Sequence, residues 1–263
     1  MSDRIMIFIP VYNCARQLPR VLEKIDARVL AQVAEVVVID NGSADGTLAA
    51  GIATASGIKI KTTFLRNKQN VSLGGSIKRA FLYALENNYD YMITLHGDDQ
   101  ADIRDLLPTL ESGAYRGQDL CIGARFHPQS RLEGYSLTRI LGNRALNLAC
   151  SLIARRRVDD MIAGLNIFRM GFFRDKFFLR FPDNLTFDAH VLLYAFDRKA
   201  QVTFLPITWR EEDQISNAKV FRQALTILRL FADYIVNGSK IFDQERSGRP
   251  PGFTYESDVA GAP

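Results

Sequence analysis

The stretch "AEVVVIDNGSADGT", residues 34–47, decides the fold. It joins an unbroken apolar run, Val36 to Ile39, to a loop of Asp, Asn, Gly and Ser. A strand that is apolar at every position is covered on both faces, and such strands belong to parallel sheets flanked by helices. The same design recurs on either side. "RIMIFIPV" (4–11) reads as a buried strand bounded by Pro10, "IKIKTTFLRN" (58–67) as another and "YDYMITLHGDD" (89–99) as a fourth. Helical spacing separates them in "CARQLPRVLEKIDARVLAQ" (14–32), "DGTLAAGIATASG" (45–57) and "LGGSIKRAFLYALENN" (73–88), and "ADIRDLLPTLESG" (101–113) continues the pattern. This alternation predicts an α/β fold with a mostly parallel central sheet and helices on both faces.

The second half is less regular. It offers strands in "DLCIGARF" (119–126) and "QVTFLPITW" (201–209), and a charged turn leading into a strand over 155–170. Helices are expected in "TRILGNRALNLACSLIA" (138–154), "FDAHVLLYAFDRK" (187–199) and a long C-terminal stretch, about 217–236. With no repeat and no linker, one domain is expected over residues 1–240. Residues 241–263, rich in Pro, Gly and Ser, read as a disordered tail.

Composition bounds the function. The chain has 263 residues, 47% apolar and 24% charged, an ordinary globular balance with enough apolar content for a sizeable core. A net charge of +4 suits an anionic substrate or membrane surface and is no nucleic-acid signature, so no nucleic-acid partner is expected. Cys14, Cys121 and Cys150 lie far apart without a CxxC pair, which argues against a zinc or disulfide framework and for packing in a reducing compartment. No signal-peptide core and no apolar run of membrane-spanning length is expected, so a cytoplasmic setting follows. On the C-terminal helix, Val220, Phe221, Leu225, Leu228 and Phe231 share a face flanked by Arg222 and Arg229. That face suits either peripheral contact with the inner membrane surface, or packing on the chain's own domain or on a homodimer partner.

Ligands of parallel sheets bind beyond the carboxyl ends of the strands. There the loops "PVYN" (10–13), "DNGSADGT" (40–47), "RNKQNVSLGG" (66–75) and "HGDDQ" (96–100) meet on one rim. Asp98 and Asp99 are candidates for a hard divalent cation; the alternative, a helix cap, is served as well by Asp102. Asp40 suits a base or ribose contact, or simply a turn. "LGGSIKR" (73–79) could present backbone N–H groups to a phosphate with Lys78 or Arg79 beside it, although it matches neither the P-loop nor the Rossmann spacing. Asp188, at a helix start, is a candidate general base or a carboxylate favouring the helix dipole.

Four stretches in order, "IPVYN" (9–13), "VVVIDNGSADGT" (36–47), "NVSLGGSIKRAF" (70–81) and "HGDDQAD" (96–102), resemble the family 2 glycosyltransferases of the GT-A fold. "IGARF" (122–126), "LGNRALNLACSLIARRRVDDMIAGLNIFRM" (141–170) and "LTFDAHVLLYA" (185–195) are similar to its dolichol- and polyprenyl-phosphate mannose synthase branch. The resemblance implies a nucleotide-sugar donor (a UDP- or GDP-sugar), Mg²⁺ or Mn²⁺, and inversion in a single displacement. It implies that Pro10, Tyr12, Asn13, Asp40 and Asn41 line the nucleoside pocket, and that Lys78, Gly97, Asp98, Asp160 and Asn166 surround the diphosphate and sugar. Asp98 and Gln100, with His96, would hold the metal. Arg125 and Asp188 would serve catalysis, and Arg210, Ser216 and Lys219 would meet the acceptor. The favoured acceptor is a polyprenyl phosphate. A soluble alcohol acceptor, or a non-catalytic nucleotide-sugar-binding protein, are the alternatives. Four positions depart from the branch: His96 and His190 replace carboxylates, Ser72 a glycine and Asn166 an arginine.

Overall fold

The computed structural model describes residues 3–213 and 220–261. The strands are β1 (Ile5–Val11), β2 (Glu35–Asp40), β3 (Thr62–Asn67), β4 (Tyr91–Leu95), β5 (Leu120–Ala124), β6 (Arg131–Glu133), β7 (Leu165–Arg169), β8 (Val202–Pro206), β9 (Thr208–Arg210) and β10 (Ser257–Gly261). The helices are α1 (Gln17–Glu23), α2 (Ala27–Leu30), α3 (Thr47–Ala55), α4 (Ser72–Glu86), α5 (Leu107–Ser112), α6 (Leu137–Ala154), α7 (Phe187–Asp197) and α8 (Val220–Asn237).

An eight-stranded sheet runs in the order β10-β3-β2-β1-β4-β7-β5-β8, and β6 pairs with β9 beside it. β3, β2, β1 and β4 are parallel neighbours, while β7 and β10 run against the rest. The unbroken apolar strands are buried on both faces, as expected, and the faces alternate residue by residue. Met6 and Phe8 join the core under α4, α7 and α8; Ile5, Ile7 and Ile9 join the one under α1 and α5. From β1 the chain steps one way to β2 and β3, then returns to place β4 on the other side. The crevice where the order reverses therefore opens between the ends of β1 and β4.

Local chemistry explains the departures from expectation. The helix predicted over 14–32 is broken into α1 and α2, because the Asp26 side chain accepts from the N–H groups of Arg28 and Val29 and starts a second helix. The tail read as disordered is seated: β10 pairs antiparallel with β3, and Tyr255 is buried ahead of it. On α8, Ile227, Leu230 and Phe231 are buried against the domain while Leu225 and Leu228 stay exposed. The side chains of Val220 and Phe221 lie outside the described residues. The long exposed apolar row is on α6 instead, where Leu137, Leu141, Leu148 and Leu152 are each more than half exposed and fall on one helix face. Among the described residues no helix is long and apolar enough to cross a membrane. All three cysteines are buried and free, and burial pushes each thiol up to about 12, so they pack rather than react.

Candidate active site

The end of β1 turns outward at Tyr12, which is 45% exposed on the rim. Asn13 follows with a φ of 54° and knits the first two loops together: its N–H donates to Ser43 Oγ at 2.9 Å, and its Oδ1 accepts from Ala44 N–H at 3.0 Å. Asp40 lies wholly inside this turn. It accepts from the Ser43 N–H and hydroxyl, with Arg66 Nε 3.6 Å away. Asn41 spends its amide on Asn70, Asn67 and the Val71 N–H. Asp40 and Asn41 therefore hold the loop together, for Asp40 the turn role its sequence also allowed. Pro10 is buried in β1, and its carbonyl accepts from the Gly97 N–H at 3.2 Å, which draws the β1 and β4 loops together.

Beyond β4 the two adjacent carboxylates separate. Asp99 has a φ of 63° and is clamped by Arg20 at 2.7 Å and by Lys24. Asp98 stays on the crevice side, next to His96, and burial pushes its carboxyl up. The His96 ring lies against Gly164, where a Cβ would stand 2.6 Å from the imidazole, and the His96 N–H donates to the Gly164 carbonyl at 3.0 Å. Burial, reinforced by Arg125, keeps this imidazole neutral against the pull of Asp98. Its Nε2 is buried with no hydrogen-bond partner among the described residues. Gln100 donates Nε2 to Glu211 at 3.4 Å, so its amide oxygen is not engaged in that bond. One neutral imidazole, one carboxylate and one amide oxygen fit a divalent ion whose remaining ligands are phosphate oxygens.

Arg125, at the end of β5, is buried and forms a bidentate pair with Asp160 at 2.7 and 2.9 Å. Its third nitrogen donates to Tyr135 Oη at 3.3 Å, and the Trp209 ring lies 5.1 Å from the guanidinium. Sequence expectation named Arg125 and Asp160 separately and missed Tyr135 and Trp209; no local pattern marks either. Trp209 Nε1 is also buried without a partner among the described residues. Arg210 sits on the rim, pairing with Glu133 at 2.7 Å, with its N–H on the Gln100 carbonyl. Ser216 and Lys219 lie outside the described residues.

Asp188 opens α7. Its Oδ1 is buried without a partner among the described residues, and burial alone pushes its carboxyl up to about 7. That is the range of a general base at neutral pH. His190, two residues on, is buried with Nδ1 2.9 Å from the Thr186 carbonyl, and burial lowers it to about 4. It packs rather than titrates near neutrality.

Two residues expected at the sugar or phosphate have hydrogen-bond partners inside the fold. Asn166 lies in β7, where it donates to the Ala163 carbonyl at 2.9 Å and accepts from the Gly123 N–H at 3.2 Å, so its amide is consumed inside the sheet. Lys78 is fully buried in α4 and donates to carbonyls of the 179–183 segment. The neighbouring glycines serve packing too: a Cβ on Gly74 would meet Asp183 backbone at 2.8 Å. The stretch 73–79 thus packs on the loop over 179–183. Ser72 adopts a φ of 59°, the left-handed region that favours the glycine usual in the branch.

A Glycosyl transferase family 2 model matches residues 6–180, two-thirds of the chain and all of the rim up to β7. The chain belongs to glycosyl transferase family 2. It is a glycosyltransferase of the GT-A fold, similar to polyprenyl-phosphate sugar transferases. Polyprenol monophosphomannose synthase of Mycolicibacterium smegmatis is 23% identical over 81% of this chain and 79% of that protein. The undecaprenyl-phosphate 4-deoxy-4-formamido-L-arabinose transferase of Yersinia enterocolitica is 28% identical over 59% of this chain, which spans about half (49%) of that protein. Among solved structures, glucosyl-3-phosphoglycerate synthase from Mycobacterium tuberculosis, in complex with Mn²⁺, UDP and glucosyl-3-phosphoglycerate, superposes with a TM-score of 0.60 at 14% identity, over 99% of this chain and 88% of that one.

Proposed function

We propose that this glycosyltransferase moves a sugar from a nucleoside diphosphate to a polyprenyl phosphate at an anionic membrane surface. One observation carries the choice of acceptor: the exposed leucine row of α6 begins beside the Arg125 end of the crevice. Asn143 of α6 donates to Tyr135 Oη, the same hydroxyl that Arg125 reaches. No acidic residue interrupts the helix, and Arg144 and Arg155 fall on its exposed face. A lipid tail can lie along such a face while its phosphate enters the site, and arginines beside it favour anionic headgroups. The names of the polyprenyl-phosphate relatives support the same choice.

The donor's base would rest on the exposed Tyr12 ring, and its diphosphate would point to His96, Asp98 and Gln100. Those three residues would hold Mg²⁺ or Mn²⁺, which when bound offsets charge on the departing nucleoside diphosphate. The acceptor phosphate oxygen attacks the anomeric carbon as the bond to the donor's β-phosphate oxygen breaks, inverting that centre. Asp188 takes up the proton of an acceptor phosphate that is still protonated near pH 7. The Asp160 carboxylate holds Arg125 rigid, and the remaining guanidinium nitrogen and the Tyr135 hydroxyl face the incoming phosphate. Trp209 Nε1 and Asp188 Oδ1, buried and unpaired among the described residues, have the character of groups that find their partners in bound substrate.

The test is transfer of labelled sugar from UDP- and GDP-sugars to a short-chain polyprenyl phosphate in vesicles containing anionic lipid. Transfer to the lipid phosphate that Asp98→Ala abolishes supports the reading. Transfer only to soluble alcohols or soluble phosphates overturns it.

A further inference from the structure

The segment that follows α8 crosses behind the loop that carries Asp188, and a buried cluster ties the two together. Lys78 Nζ lies within hydrogen-bond distance of four acceptors that share its three N–H groups: the carbonyls of Leu179 (3.0 Å) and Phe181, Asp183 Oδ1 (2.7 Å) and Tyr255 Oη (3.0 Å). The Tyr255 hydroxyl in turn donates to Asp183 Oδ1 at 2.7 Å, and Arg249 Nε reaches Asp183 Oδ2 at 2.6 Å. Both Asp183 oxygens are therefore consumed, and its carbonyl accepts from the Gly75 N–H at 3.2 Å. The C-terminal strap is pinned at both ends. The Arg246 N–H donates to the Arg180 carbonyl at 2.7 Å, and β10 closes onto β3 with Arg79 Nε on Ser257 Oγ at 3.0 Å.

Apart from Gly75, the last residue of the third rim loop, these groups lie away from the rim loops. A buried lysine–carboxylate pair is also a poor device for stability alone, since burial disfavours the charged amine and apolar residues fill such space as well. What the cluster fixes is position. Asp183 precedes Asp188 by five residues, and the link between them is itself bonded: Asn184 Oδ1 accepts from the Thr186 N–H (2.9 Å) and hydroxyl (2.7 Å), and the Thr186 carbonyl accepts from His190. Residues 179–183 are thereby tied to α4 and the strap, and 184–190 carry that anchor to the first turn of α7 through their own hydrogen bonds.

We infer that Lys78, Asp183, Arg249 and Tyr255 form a positioning clamp that sets the Asp188 carboxyl in the active site, so that the C-terminal segment is a working part of the reaction. The inference rests on Asp188 acting in transfer. Its test is Tyr255→Phe in the full chain, which removes one hydroxyl and keeps the ring. Glu256→Gln is the control, because it weakens only the exposed Lys68–Glu256 pair from the strap itself. For Tyr255→Phe, kcat is expected to fall about five- to tenfold with donor KM within about twofold, and the acidic limb of the kcat–pH profile to move down by about half a unit or more. Glu256→Gln changes none of these, and Arg249→Lys retains more activity than Arg249→Ala. An independent readout follows the Asp188 side-chain carbon by NMR through a pH titration, where Tyr255→Phe brings the midpoint down toward the ordinary carboxylate range. Unchanged kcat and midpoint in folded Tyr255→Phe, or an equal loss in Glu256→Gln, overturns the clamp. If the parent protein transfers no sugar, the reading of Asp188 fails instead, and the NMR midpoint still decides whether the clamp places it.

Discussion

Replacing Asp188 by asparagine should make the protein more stable while ending its activity, and the gain should grow with pH. The carboxyl is raised from 3.8 to about 7 by burial alone, with no cation to compensate it. A folded state that holds its proton more tightly than the unfolded chain is favoured at low pH. Its advantage is lost as pH rises from the ordinary carboxylate value toward 7, so above pH 7 the wild-type chain carries the full cost of a buried charge. The interval of about three pH units is worth roughly 4 kcal/mol at most, and water entering the crevice reduces it to about half that figure. The asparagine amide never carries the charge. Between pH 5 and pH 8 the variant's advantage over wild type should widen by roughly 1–3 kcal/mol, or about 3–10 °C in melting temperature for a domain of this size. Urea or thermal unfolding at the two pH values measures it directly. A difference that stays flat or narrows with pH would refute the assignment of Asp188 as an uncompensated buried acid, whatever the variant does to catalysis.

Asp98→Ala should abolish the thermal shift produced by a nucleotide sugar with Mn²⁺ and leave the unliganded melting temperature within a few degrees of wild type, as scanning fluorimetry would record. Gly164→Ala drives a Cβ against the His96 ring and should cost about 1–3 kcal/mol in chemical unfolding, whereas Gly142→Ala, in open space on α6, should cost nothing or gain a little. Lys78→Met leaves the Leu179 and Phe181 carbonyls without their donor, while Arg249 still pairs with Asp183, and should destabilise by about 1–3 kcal/mol, more than removal of an exposed lysine. Glutamates at Leu141 and Leu148 should abolish co-sedimentation with anionic vesicles at low salt while leaving the melting temperature near wild type, since both leucines are exposed.

The half of the sheet that makes the rim was legible because its information is local. An apolar run such as Val36–Ile39 followed by a polar loop announces a doubly covered strand and its exit without reference to anything else in the chain. The roles of individual polar residues were less legible, because they depend on partners far away in sequence. Lys78 meets acceptors more than 100 positions later, and Asn166 meets a strand 43 positions earlier. Their residue types are those of ligand contacts, and only the fold reveals that their hydrogen bonds are spent. Asp98 and Asp99 could be told apart only by resemblance; in the structure the cause is Arg20 and Lys24, drawn in from α1 and the residue after it. Strand β10 escaped notice because a short edge strand with one partner has no second face to bury, so its composition stays that of a loop.

The pairing of β10 with β3 also has a consequence in time. Some 190 residues separate the two partners, so on a ribosome adding roughly 5–20 residues per second the outer edge of β3 waits on the order of 10–40 s for its neighbour. During that interval its N–H and C=O groups are open to any other extended chain, and the loop leading to Asp188 lacks Arg249 and Tyr255. Nascent chains stalled before residue 245 should therefore be bound by chaperones that recognise open strand edges and released once the last turn of translation brings the strap home. Pairing of the strap therefore covers the β3 edge and sets Arg249 and Tyr255 on Asp183 together.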